Sequence, residues 1–216
     1  MKRLFSLDTP IMRLLSQIMD MILLNLLFLV SCVPVVTVGA AQAGLMTAVR
    51  ALKKDEESCF RAYFRGFSSG FWRVTLIWSI CLVIMGIQLT VLISAIYLDA
   101  GIDSFSVICA LVSLVLFAMF LAMVTAFHSR FSCSVWQIIR SSWFLALSNP
   151  LRTFLMVLLI WAPVVVLLCD LIVFAKMIPL WGLIYYAAAY VACANLVKNP
   201  FSKLEEQFFP DKSSEI

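Results

Sequence analysis

The chain has 216 residues, of which 63% are hydrophobic and 13% charged, with a net charge of +4. A soluble domain carries about 25% charged residues and about 45–50% apolar ones, and the mean hydropathy of +1.03 departs from it in the same direction. This composition excludes an ordinary soluble domain. The modest charge, without a long basic run, excludes a nucleic-acid-binding protein.

In chain order, Asp8-Thr9-Pro10 reads as a helix start: Asp8 or Thr9 caps, and Pro10 takes the first helical position. Ile11, Leu14, Leu15 and Ile18 follow at helical spacing. This predicts an N-terminal segment along the inner membrane surface that turns into a span at residue 18. Crossing about 30 Å of hydrocarbon takes about 20 helical residues. Five stretches qualify: 18–36, 74–98, 105–127, 154–174 and 178–197. None shows the alternation of an outer-membrane barrel strand. Ala41-Gln42-Ala43 after the first apolar run imitates a signal-peptide cleavage site. Asp8 and Asp20 ahead of and within that region, and the length of the apolar run, argue instead for a retained helix.

The charges set the number of crossings. Lys2, Arg3 and Arg13 precede the first span, and Arg50, Lys53, Lys54, Arg61, Arg65 and Arg73 follow it. A single crossing between these groups places them on opposite sides, against the positive-inside rule. A return over 37–52 removes the conflict. That stretch is rich in small residues, which suit a tilted sixth helix packed among the others; a re-entrant hairpin serves equally. With six crossings both termini are cytoplasmic, and of the 16 Lys and Arg only Lys176 falls outside.

Two inner segments are amphipathic. In 55–73, Phe60, Tyr63, Phe64, Phe67 and Phe71 recur at helical spacing, Arg61 and Arg65 flank them, and Asp55, Glu56 and Glu57 suit a helix N-terminus. This reads as an interfacial helix. It is a surface anchor, a partner-docking surface formed by Phe60, Arg61, Phe64, Arg65, Phe67 and Phe71, or a substrate-binding surface. Segment 131–149 resembles it, with Trp136, Ile139, Trp143 and Phe144 before Asn149-Pro150. Both lead into a span through an arginine and a later tryptophan, Arg73 to Trp78 and Arg152 to Trp161. A weak internal repeat of the transporter kind explains this, and so does an aromatic belt.

Polar residues inside spans are expensive and are candidates for function. Asp20 and Asn25 in the first span, with Pro34, Thr37 and Gly39 after it, form the candidate cavity or turn. Asp170 lies near an outer end, solvated or paired with Lys176, as Asp20 is solvated or paired with Arg13. The sequence carries no nucleophile elbow, zincin motif, Walker A loop or paired-carboxylate motif. One histidine, His128, and seven cysteines without a C-x-x-C pair point to reduced packing thiols and no metal site. No cofactor and no catalysis are expected.

The opening LFSLDTPIMRLLSQIMDMILLNLLFLVSCVPVVTVGAAQAGL resembles the start of the YesL-like bacterial membrane proteins, a family with a domain of unknown function. The residues carrying the likeness are Leu7, Asp8, Pro10, Leu24, Asn25, Pro34, Thr37, Gly39 and Ala40. FRAYFRGFSSGFWRVTLIW is similar to the family's F-x-x-F-x-x-x-F pattern, with Gly70 where an Asn is common before the last Phe. Residues 148–153 are similar to its later inner loop. The resemblance implies a multi-pass protein of the bacterial cell membrane, associated with carbohydrate-uptake transporters and sugar-sensing regulators. The expected fold is an all-α polytopic transmembrane helical bundle. It is one membrane domain with about six crossing helices, amphipathic inner-surface helices and an inner tail over 198–216. The expected role is an accessory or regulatory partner of carbohydrate uptake, in contact with the lipid bilayer and with a transporter permease or a membrane sensor kinase. Homo-oligomers are compatible with it. The alternative is a small solute transporter or channel.

Overall fold

A computed structural model describes residues 10–54, 58–97, 104–131 and 134–208. Helix α1 (Pro10–Ser31) starts at the proline read as its first position; its Asp8 and Thr9 caps lie outside the described residues. No Gly or Pro interrupts positions 11–31, and one continuous helix covers both the segment expected along the surface and the start of the expected span. Pro34 then ends it earlier than position 36, because proline supplies no N–H and disfavours helix in the residue before it. A single 3-10 turn, Val35–Thr37, leads into α2 (Val38–Lys54).

The remaining elements are α3 (Cys59–Ser68), α4 (Phe71–Tyr97), α5 (Ser104–His128), α6 (Val135–Ser148), α7 (Pro150–Cys169), α8 (Leu171–Leu180), a π segment (Trp181–Tyr185) and α9 (Tyr186–Phe208). Among the described residues there is no strand. The chain is an all-α helical bundle.

Two boundaries differ from expectation. The helix expected over 55–73 breaks at Ser69 and Gly70, where Gly70 takes φ +72°, a conformation glycine adopts without a Cβ penalty. Phe71 therefore opens α4 rather than closing α3. The acids 55–57 lie outside the described residues, as do 98–103 at the expected outer turn and 209–216 of the expected tail. The second difference is the break between the last two spans, which falls at Asp170 and not between 174 and 178. The Asp170 carboxylate accepts the N–H groups of Ile172 and Val173 at 2.8 and 3.2 Å, capping α8. Lys176 consequently sits within α8, exposed, and not in a turn.

Five stretches are long and apolar enough to cross a membrane: Val35–Lys53, Phe71–Ala95, Ser104–His128, Pro150–Leu167 and Leu171–Lys198. Leu15–Ser31 is a shorter apolar helix. The outward faces are apolar as well, with Leu76, Ile80, Val83 and Ile87 of α4 and Leu171, Ile172, Ile178 and Leu180 of α8 all exposed. Water does not tolerate such continuous surfaces, and hydrocarbon does. The chain is a membrane protein.

At the centre stands α2, packed against α1, α3, α4, α5 and α9. Its span has the lowest mean hydropathy of the five, 1.4, yet 61% of it is buried, against 6–44% for the others. Small size explains the inversion. Ala40, Ala41, Ala43 and Ala48 let neighbouring backbones approach, which is how helices associate where apolar surface alone gives no preference over lipid.

Candidate functional site

The α1–α2 turn is held by its own motif residues. Thr37 donates its backbone N–H to Pro34 O at 3.0 Å, and its hydroxyl lies 2.6 Å from Ser31 O and 2.7 Å from Pro34 O. Trp78 Nε1 on α4 donates to Val35 O at 3.2 Å. Gly39 is required by that contact: a Cβ there would lie 2.8 Å from Trp78 Cβ. Pro34, Thr37 and Gly39 thus form one close-packed seam between the turn and α4.

Asn25 works on a different seam. It is fully buried, so its amide needs partners inside the protein. Nδ2 donates to the carbonyls of Trp181, at 3.0 Å, and Gly182, and Oδ1 accepts from the Ala187 N–H at 3.3 Å. These partners belong to the π segment and the start of α9. That segment follows Pro179, and single π turns inside helices are irregularities often found at functional positions. Asp20, the other candidate on α1, is half-buried about one and a half turns earlier. The five candidates therefore do not converge on one cavity.

Helix α3 lies along α2 through its small-residue face. Cys59, Ala62, Tyr63 and Gly66 are buried. A Cβ on Gly44 would meet Tyr63 O at 3.0 Å and Phe67 Cβ at 3.3 Å, and one on Gly66 would meet Thr47 Oγ1 at 2.4 Å. Tyr63 is 0% exposed, whereas Phe60 and Phe64 are 51% and 43% exposed, and Arg61 and Arg65 are also exposed. Helical spacing had grouped all the aromatics together. The packing divides them: Tyr63 and Phe67 meet α2, Phe60 and Phe64 point away from it. Ring contacts run within each set, with Phe60 and Phe64 centroids 4.8 Å apart and Tyr63 and Phe67 6.2 Å, and Tyr63 with Phe64 at 5.7 Å joins the two sets.

Residues outside the two candidate sets tie one end of the bundle together. Arg50 Nη1 donates to Ser129 Oγ at 3.0 Å, linking α2 to the end of α5. Lys53 Nζ donates to Asn195 Oδ1 of α9. His128 Nε2 faces Ser69 O in the α3–α4 turn, and the His128 ring occupies the space a Gly70 Cβ would need. Segments that charge counting had assigned to the same side thus meet at one basic end. The signal for Gly70 was its residue type, since glycine most readily accepts a left-handed backbone. Among the described residues no group of three or more His, Cys, Asp or Glu is placed to hold a metal ion.

Residues 21–91 match the family model described as "Protein of unknown function, DUF624". The match takes in the second half of α1, all of α2 and α3, and most of α4. Asn25, the Pro34, Thr37 and Gly39 seam and the α3 face all lie inside it. No curated protein and no solved structure matches the chain.

Proposed function

We propose that this membrane protein is an accessory or regulatory partner of a carbohydrate-uptake system, YesL-like, in the bacterial cell membrane with both termini cytoplasmic. The reading assigns it no catalysis of its own. It acts by contact: spanning helices pack beside a transporter permease or a membrane sensor kinase, and α3 presents the docking face. The observation that carries this is the division of α3. One face is locked on α2 through Gly44 and Gly66, which fixes Phe60, Arg61, Phe64 and Arg65 outward on a rigid support. Exposed aromatic and arginine side chains on a fixed element are the composition of interface anchors. Gentle purification from native membranes of cells grown on complex carbohydrates tests it. Recovery of a sugar-transporter permease or a sensor kinase is expected. Recovery of the chain alone, or only with itself, contradicts the reading.

A second reading, a small solute transporter, is favoured by one observation. The order long helix, short helix, long helix occurs twice, as α2–α3–α4 and as α5–α6–α7, and paired units are a transporter architecture. Solute flux into liposomes containing only this protein is its test, and absence of flux counts against it.

A further inference from the structure

The two long–short–long units correspond residue by residue at an offset of 79, the separation of Arg50 and Ser129. At this offset the buried stretch 39–49 of α2, in which only Thr47 is partly exposed, falls on 118–128 of α5, which is buried throughout. Buried Cys59, Tyr63 and Gly66 of α3 fall on buried Ile138, Ser142 and Leu145 of α6. Buried Val74, Ile77 and Cys81 of α4 fall on buried Thr153, Met156 and Ile160 of α7. Matching contacts accompany the matching burial: α2 packs on α3 and α4, as α5 packs on α6 and α7.

Side-chain size is exchanged across the equivalent seams. In the first unit the long helix supplies Gly44 and the short helix Tyr63 and Phe67. In the second the same positions hold Met123, Ser142 and Ala146. Large and small have changed places, which conserves the volume between helices while erasing the sequence likeness. Arg50 and Ser129 are equivalent positions that touch each other. Equivalent residues of two copies meet only beside the axis that relates them, so the axis passes by this contact, at the basic end.

Little identity survives between the short helices and the starts of the spans that follow. What does survive includes Arg61 with Arg140 and Arg73 with Arg152. Arg61 and Arg140 are both exposed, and neither bonds or pairs with another described residue. Each stands among exposed apolar side chains, Phe60 and Phe64 in one copy, Trp136 and Phe144 in the other. Each short helix is also tied to a spanning helix with no slack. α3 ends at Ser68 and α4 starts at Phe71; α6 ends at Ser148 and α7 starts at Pro150.

We infer that α3 and α6 are two copies of one duplicated element, and that Arg61 and Arg140 are equivalent sites for the phosphate headgroup of an anionic phospholipid. The short connections hold both helices at the bilayer boundary, where a headgroup is the nearest anion. The planar guanidinium donates two parallel N–H groups to phosphate oxygens, and flanking aromatic rings sit at headgroup depth. The inference assigns Arg61 to lipid and leaves the exposed rings of Phe60 and Phe64 to the protein-docking reading, so Arg-to-Gln variants test the one without removing the rings that test the other.

The purified full-length protein in detergent is titrated with phosphatidylglycerol or with phosphatidylcholine, and bound lipids are counted by native mass spectrometry. Inorganic phosphate forms a separate arm. Two phosphatidylglycerol molecules are expected to bind in preference to phosphatidylcholine. Arg61→Gln and Arg140→Gln each lose one site, about five-fold in retention per arginine, and the double variant loses both. Arg61→Lys and Arg140→Lys retain most of the binding, which separates charge from folding. Equal retention of the two lipids overturns the inference and assigns the arginines to an acidic protein partner. Unchanged retention in the double variant, loss of both sites from one single variant, or displacement of the lipid by inorganic phosphate at matched concentration overturns it as well.

Discussion

Asn25 of α1 and Ala187 of α9 meet across 162 positions of sequence, the Ala187 N–H donating to Asn25 Oδ1 at 3.3 Å. With the two carbonyls bonded by Nδ2, one side chain satisfies three backbone groups in and beside the π segment. Replacing Asn25 with Ala or Leu strands those groups away from water. A loss of about 1–3 kcal/mol is expected, toward the lower end if membrane-embedded partners re-pair. Denaturant unfolding in detergent measures it. A variant as stable as the parent would remove Asn25 from the role of clamp between α1 and α9.

The α2–α3 seam gives a paired test. A Cβ on Gly66 would lie 2.6 Å from Thr47 Cβ and 3.1 Å from Gly44 Cα, whereas one on Gly86 meets nothing within 4 Å. Gly66→Ala should destabilise the bundle by about 1–3 kcal/mol through overpacking, and Gly86→Ala should not. Adding Thr47→Gly to Gly66→Ala should recover part of the loss, since residues in contact couple in a double-mutant cycle.

Gly70 combines two constraints, φ +72° and the His128 ring. Gly70→Ala should cost about 1–2 kcal/mol for the left-handed backbone, with a further loss from the clash. His128→Ala should relieve the clash alone. If the two changes prove additive, the ring is not what fills the space beside the α3–α4 turn.

Lys176 and Arg140 report on orientation. In a cysteine-free background, Lys176→Cys and Arg140→Cys should react with a membrane-impermeant thiol reagent from opposite sides of sealed vesicles. Reaction from the same side would refute the charge-based topology.

Most of the helical pattern was legible because twenty-residue apolar runs are strong signals. The basic groups around Arg13 and Arg50 called for a return segment over 37–52, and α2, within a stretch long and apolar enough to cross, occupies those residues. What escaped were features decided by contact. The aromatic spacing of α3 does not say which side faces α2; Gly44 and Gly66 decide that. Lys176 looked like a turn residue, but Asp170, one carboxylate with two N–H partners, set the break. Under the proposed duplication Arg73 and Arg152 are equivalent, while the tryptophans read beside them do not coincide: at an offset of 79, Trp78 falls on Val157 and Trp161 on Leu82. Exchange of size between Gly44 and Met123 and between Tyr63 and Ser142 hides the rest. Asn25 was visible as an expensive polar residue, but its partners 156 to 162 positions away were not.

The α3 face is the centre of the functional account, and two variants examine it directly. Phe60→Ser with Phe64→Ser changes only exposed rings, while Phe67→Ser changes a ring held against Gly44. Each is purified from native membranes, with unfolding temperature and co-purifying permease or sensor kinase measured on the same sample. The account predicts that the double variant keeps its unfolding temperature and loses the partner, and that Phe67→Ser lowers the unfolding temperature. A double variant that retains the partner at the parental level would contradict it.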